Sequence, residues 1–228
     1  MADNTINLKK PTISLAKGQK INLTKEAPGL HKVMVGLGWK ANSGETVTEV
    51  VKPGFLGRLF GAQERTETRR VSSGHDYDLD AAALMLRNGH MTSDKDLVYY
   101  GHRDNGSIHH CGDNLVGGEG SLDDEEINID LDKVPESCDY IKLFVVIYQA
   151  KYRNQNFAKV KNMFIRLVNS DDGHEICRYA DESICNAYGD KACLHFGDLH
   201  KVNGTWEFEA VGVGTDDGTI GDFARRFR

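Results

Sequence analysis

The chain reads as an all-β protein, a sandwich of two sheets with short helices and acidic loops at one end. Short strand-like runs alternate with turns, and no succession of strand-then-helix units appears, which favours a sandwich over a doubly wound sheet. The chain has 24 Gly and only four Pro, a composition suited to many turns. Residues Tyr140 to Tyr148 form the most apolar run and belong at the sandwich centre.

At 228 residues with 39% hydrophobic content, one large β domain is expected over residues 11–228, preceded by an extension over 1–10. Ile13 to Leu15 and Lys20 to Leu23 read as short strands joined through Lys17-Gly18-Gln19. In Lys32 to Trp39, Val33, Val35 and Leu37 alternate with Lys32, Met34 and Gly36, the period of a half-buried strand. Residues 41–74 differ in composition and read as a flexible insertion. Its Phe55, Leu56, Leu59 and Phe60, flanked by Arg58, Arg65, Arg69 and Arg70, form either a docking segment for a partner protein or anionic membrane surface, or a loop folded onto its own domain.

From Tyr77 onward strands dominate: Ala81 to Leu86, Leu97 to Tyr100, Ile108 to His110, Ile127 to Leu131, and the central run. Asn156 caps one helical turn over Phe157 to Lys161. Met163 to Val168, Glu175 to Tyr179, Ala192 to Leu199 and Trp206 to Val213 complete the sheets, and the tail starts a helix near Asp222 that packs or frays.

The net charge of -6 argues against non-specific nucleic-acid binding, which depends on neutralising phosphates. No apolar run at the N-terminus resembles a signal peptide and no segment is long enough to cross a bilayer, so a cytoplasmic location is expected. Five cysteines without a C-x-x-C pair read as reduced thiols, with a soft-metal site at Cys177, Cys185, Cys193, His174 and His195 as the other reading.

The charge concentrates in two places. Gly112 to Leu131 holds Asp113, Glu119, Asp123, Asp124, Glu125 and Glu126 with no Lys or Arg before Lys133. Such a loop repels itself, and its glycines let backbone carbonyls turn toward a cation. In Asp76-Tyr77-Asp78-Leu79-Asp80 the carboxylates recur every second residue, on one face of an extended chain and about 6.8 Å apart. An EF-hand would need Gly and Glu where Ala81 and Arg87 stand. What remains is a cation site built from two loops, or a solvated acidic surface. The candidate ligands are Asp76, Asp78, Asp80, Asp113, Asn114, Gly118, Glu119, Asp123, Asp124 and Glu125.

The loops accommodate two chemistries. A closed oxygen cage selects calcium, whereas a magnesium- or manganese-dependent hydrolase would use Asp78, Asp80, Asp113 and Asp124 for the metal and His110 as base. Alternation places one of His109 and His110 inward and the other outward. Gly117-Gly118-Glu119-Gly120 lacks the Lys-Ser/Thr of a phosphate loop, and neither G-x-S-x-G nor H-E-x-x-H occurs.

Several segments in succession carry a family resemblance: Val35-Gly36-Leu37-Gly38-Trp39, Tyr77-Asp78-Leu79-Asp80-Ala81, Gly106 to His110 with Gly112-Asp113-Asn114, Asp123-Asp124-Glu125, and Gln155-Asn156-Phe157 through Asn162 to Arg166. From about Ile13 to Gly212 the chain resembles the TerD family of tellurium-resistance and stress-response proteins. The resemblance implies a calcium-binding β-sandwich, cytoplasmic and without established catalytic activity. Its expected partners are calcium ions and other proteins, among them TerD-like proteins or a membrane-associated complex reached through the 55–60 patch. The chain departs from the family pattern in Lys40 after Trp39, in Ser121 and Leu122 within a longer loop, and in the 41–74 insertion.

Overall fold

The computed structural model describes residues 10–41, 45–51, 65–71, 77–112 and 123–228. The chain divides into two compact units, one formed by the residues up to Ala41 and from Tyr77 onward, the other by Asn42–Asp76.

The larger unit begins with β1 (Ile13–Leu15) and β2 (Lys20–Asn22), after which Asn22 accepts the Lys25 N–H and caps a single helical turn, α1 (Leu23–Glu26). Strand β3 (Lys32–Ala41) follows. The second unit contains β4 (Glu45–Val51) and β5 (Arg65–Val71), an antiparallel hairpin with Glu45 opposite Val71 and Val51 opposite Arg65. Its Val- and Thr-rich runs, Thr46-Val47-Thr48 and Val50-Val51, suit a pleated strand. The insertion thus has secondary structure of its own, where composition alone suggested a flexible segment. The Phe55 to Phe60 patch lies outside the described residues.

The larger unit resumes with β6 (Leu79–Leu86), a 3-10 turn at Asp94–Asp96, β7 (Leu97–Val98), β8 (Ile108–His110), β9 (Glu125–Asp130) and β10 (Tyr140–Ile147). Then come α2 (Ala150–Arg153), a 3-10 turn at Phe157–Lys159 capped by Asn156, and β11 (Val160–Asn169). The chain finishes with β12 (Glu175–Ala180), α3 (Glu182–Ala187), β13 (Cys193–Val202), β14 (Thr205–Thr215) and α4 (Ile220–Arg225). Asn203-Gly204 joins β13 to β14 with φ of 48° and 78°, the positive pair that a two-residue hairpin turn requires.

Two six-stranded sheets result, in the orders β1-β12-β11-β3-β9-β8 and β2-β14-β13-β10-β6-β7. One core cluster lies between them. Val33, Val35 and Leu37 of β3 and Ile165 and Leu167 of β11 meet Leu79, Ala81 and Ala83 of β6 and Ile141, Leu143 and Val145 of β10. The alternate residues of the second sheet, Ala82, Leu84, Phe144 and Val146, face outward and are also buried. Their cover is α4, whose Ile220, Phe223 and Ala224 complete a second cluster, with the Phe223 and Phe144 rings stacked at 4.0 Å. That cover explains why β6 and β10 read as apolar on both faces, and it shows that the tail packs.

Candidate metal centre

The site is organised by the first residues of β6 and β9. The Asp78 carbonyl accepts the Tyr148 N–H at 2.8 Å, which ties the entry to β6 to the end of β10. Asp78 and Asp80 are only 6% and 4% exposed. The Asp78 carboxylate has Arg153 Nη1 at 3.5 Å, and the Arg153 guanidinium lies 5.0 Å from the centre of the Tyr148 ring. By strand alternation Asp80 shares its face of β6 with Ala82 and Leu84, the outer face of the second sheet.

Strand β7 pairs only with Ala83 and Leu84, leaving the beginning of β6 beyond its ladder. Glu125, the first residue of β9, reaches across from the other sheet and accepts the Ala81 N–H at 2.5 Å. This bond joins the two sheets at the end where the acidic segment leaves and re-enters. His110 closes the same corner. Its Nδ1 accepts the Gly112 N–H at 3.2 Å, so the neutral ring carries its proton on Nε2, which faces Glu125 Oε2 at 3.6 Å. Both side chains are fully buried. His109, one residue earlier, points outward and meets Asp104 at 2.9 Å, the alternation expected of that pair.

Asp124 and Asp123 fasten the C-terminal end of the segment to the first sheet. Asp124 donates its N–H to the Leu37 carbonyl and accepts the Trp39 N–H at 2.8 Å. Asp123 is gripped by Arg166, with Nε at 2.8 Å from Oδ1 and Nη2 at 2.6 Å from Oδ2. The carboxylate lies over Gly36, where any side chain would collide with it, so Gly36 is needed for close approach rather than for backbone freedom. Arg166 continues to Glu175 at 2.9 Å and Glu175 to Arg178 at 2.8 Å. The hydrogen bond with Asp123 drives the Arg166 guanidinium well above its ordinary range. The Arg178 hydrogen bond, reinforced by Arg166, holds the Glu175 carboxyl below its own.

The expected ligands therefore fall into three groups. Asp78 and Asp80 sit together at the entry to β6, with Glu125 bonded to the next residue but one along from Leu79. Asp123, expected as a ligand, instead forms an ion pair on the outer face of the first sheet, and Asp124 caps a backbone N–H there. Asp76, Asp113, Asn114, Gly118 and Glu119 lie outside the described residues. Among the described residues, no group of three or more His, Cys, Asp or Glu is placed to hold one ion. The donor chemistry at Asp78 and Asp80 is that of a hard cation, anionic oxygen at a buried strand end. The sequence signal that could have singled out Asp123 was Arg166, but the two are 43 residues apart and no local spacing links them.

The thiols separate in the same way. Cys138, Cys177, Cys185 and Cys193 are buried and Cys111 is exposed, all as free cysteines. Burial pushes the Cys185 thiol up to about 11 and those of Cys177 and Cys193 up to about 12, away from thiolate chemistry.

A two-sheet sandwich with buried carboxylates at the strand ends bordering an acidic segment defines the class to which the chain belongs. The sequence profile of the TerD domain matches residues 12–227, and the chain is a member of the TerD domain family. The match takes in the C-terminal helix, beyond the Gly212 limit that the motifs alone suggested. The chain is 38% identical over 217 residues to Stress response protein SCP2 of Bacillus subtilis (strain 168), covering 94% of this chain and 98% of that one. It is 37% identical over 206 residues to Tellurium resistance protein TerD of Serratia marcescens, covering 89% and 91%. Its fold is similar to the crystal structure of a homologue of telluride resistance protein (TerD) from Streptomyces coelicolor A3(2), with a TM-score of 0.57 at 19% identity over 86% of this chain and 96% of that one. Among the described residues no helix is long and apolar enough to cross a membrane.

Proposed function

We propose that this protein is a calcium-binding, non-enzymatic module of the stress-response and tellurium-resistance type, acting in the cytoplasm. The observation that carries the reading is the burial of Asp78 and Asp80 at the entry to β6, directly beside the bond from Glu125 to Ala81. Asp78 and Asp80 would hold the ion together with carboxylates from the segment between Gly112 and Asp123. Calcium, when bound, supplies the positive charge that cancels the repulsion among these groups.

The chain's own residues then set the frame. Arg166 and Trp39 fix the C-terminal end of the segment through Asp123 and Asp124, while His110 fixes the N-terminal end through Gly112. Ordering the segment between those anchors presents a surface to protein partners, other TerD-like proteins among them, with the Phe55 to Phe60 patch as a second contact or a route to a membrane-associated complex. A non-catalytic role is supported by His110, whose fully buried ring has Nδ1 engaged and is not available as a base to an external substrate.

Calorimetric titration of metal-free protein with calcium and separately with magnesium tests the reading. Micromolar calcium binding that outcompetes magnesium and disappears in an Asp78→Asn, Asp80→Asn variant is expected. A preference for magnesium would favour the hydrolase, and no binding would leave the acidic loops as repulsive surface.

A further inference from the structure

A cation of the chain itself stands beside the expected calcium ligands. Arg153 Nη1 lies 3.5 Å from Asp78 Oδ2, and the Arg153 guanidinium sits 5.0 Å from the centre of the Tyr148 ring. Only 17% of the arginine side chain and 9% of the aspartate side chain are exposed, so salt screens this pair far less than a surface pair. We propose that Arg153 and calcium compete for the Asp78 carboxylate, so that Arg153 lowers the calcium affinity and its exchange for the ion moves the α2 turn. The inference rests on the calcium reading above and names how that site is regulated.

Charge makes the two cations rivals. Asp78 and Asp80 project from one face of the chain entering β6. An ion held by Asp78 would be a near neighbour of the guanidinium, and like charges repel strongly where little water lies between them. The carboxylate therefore serves one cation well or two poorly. The guanidinium has a second support in the Tyr148 ring, which attracts it through the ring quadrupole and retains it when the carboxylate is taken.

The route from Arg153 to the surface is short. Helix α2 is a single four-residue turn between Gln149, at φ 51° and ψ 32°, and Asn154, at φ 52° and ψ 49°. Both are left-handed without being glycine, a conformation that persists only where the surroundings impose it. Asp78 imposes it from both ends. Its carbonyl accepts the Tyr148 N–H at 2.8 Å before the turn, and its carboxylate meets Arg153 at the turn's last residue. Gln149 and Tyr148 also line one cavity with Asp80, so the start of the turn adjoins the second carboxylate. Taking the carboxylate away leaves the turn held at Tyr148 alone of these two ties. Tyr152, 81% exposed, is carried on that turn, and its ring is the group that a protein partner would meet in a changed position.

Calorimetric calcium titrations of the parent, Arg153→Met and Lys151→Met test the competition. Arg153→Met keeps an unbranched stem beside Tyr148 and removes the charge, and it should bind calcium roughly tenfold tighter than the parent. Lys151→Met removes a charge from an exposed position on the same turn and should change the affinity by less than about twofold. In the parent, NMR should show the Arg153 side-chain Nε–H and the Tyr152 amide shifting with the calorimetric midpoint, a readout that decides the matter should Arg153→Met fold poorly.

Affinity in Arg153→Met equal to or below that of the parent, or raised equally by Lys151→Met, would overturn the competition. Unmoved Arg153 and Tyr152 signals would overturn the coupling to the turn. A parent that binds no calcium removes the calcium reading and this inference with it, whereas calcium binding that is indifferent to Arg153 removes the inference alone.

Discussion

The outer faces of the two sheets carry ion clusters of similar make-up but protect them differently. On the second sheet, Asp198 accepts from His195 at 2.6 Å and from Lys142 at 3.1 Å, and α4 lies over the cluster with Phe223 edge-on to His195 at 5.6 Å. Burial alone would push the Asp198 carboxyl up, yet the His195 hydrogen bond and the charges of His195 and Lys142 hold it below its ordinary value. On the first sheet, the Asp123, Arg166, Glu175 and Arg178 cluster is half-open, with the Arg178 guanidinium stacked on Phe164 at 4.2 Å. The difference teaches where each face gets its strength, from apolar burial in one case and from a forked ion pair that anchors a loop in the other.

The largest effect is expected from breaking the apolar cover. Phe223→Ala removes a fully buried ring stacked on Phe144 and leaves a cavity over β10, costing about 3–5 kcal/mol. Urea denaturation should show the loss as a lower midpoint with little change in slope. A cost below about 1 kcal/mol would mean that α4 is not part of the cooperative unit.

The next effect falls on the first sheet. Arg166→Met strands the Asp123 carboxylate over Gly36 and costs about 2–3 kcal/mol. Because Asp123 ends the acidic segment, this variant should also weaken calcium binding, whereas Phe223→Ala at matched stability should not. Arg166→Lys keeps the charge but loses the fork, and is expected to recover only part of both losses. Equal calcium affinity in the Arg166 and Phe223 variants would mean that Asp123 anchors nothing beyond the sheet.

This contrast also explains what could be read in the sequence. Strands whose burial repeats every second residue, such as Val33, Val35 and Leu37, and the two-sided run of β10 announce themselves because a sheet face sums the same signal several times. The Asn156 cap was legible because its partner, the Ala158 N–H, is two residues away. The helix α1 was not, since four residues after a strand carry no helical period. The acidic stretch read as one continuous ligand set because its carboxylates look alike in sequence. Their roles diverge only through partners brought from afar: Arg166 for Asp123, the Trp39 N–H for Asp124 and the Ala81 N–H for Glu125.

The smallest effect sharpens the comparison through pH. Glu175 has an ordinary value of 4.5 and lies below it in the folded chain, chiefly through the Arg178 hydrogen bond. A depressed carboxyl contributes stability that is fully present above the unfolded value and is lost as pH falls through the folded one. Between ~pH 5 and pH 3 the protein should therefore lose stability, Glu175 contributing to the loss, and Glu175→Gln should reduce that loss by about 1 kcal/mol or less, the modest size set by its partial exposure. Denaturation midpoints at pH 7, 4.5 and 3 measure it. If the variant loses as much stability as the parent over that range, the acid sensitivity lies elsewhere, with the more deeply buried Asp198 as the group to test next, since the same sign applies to it.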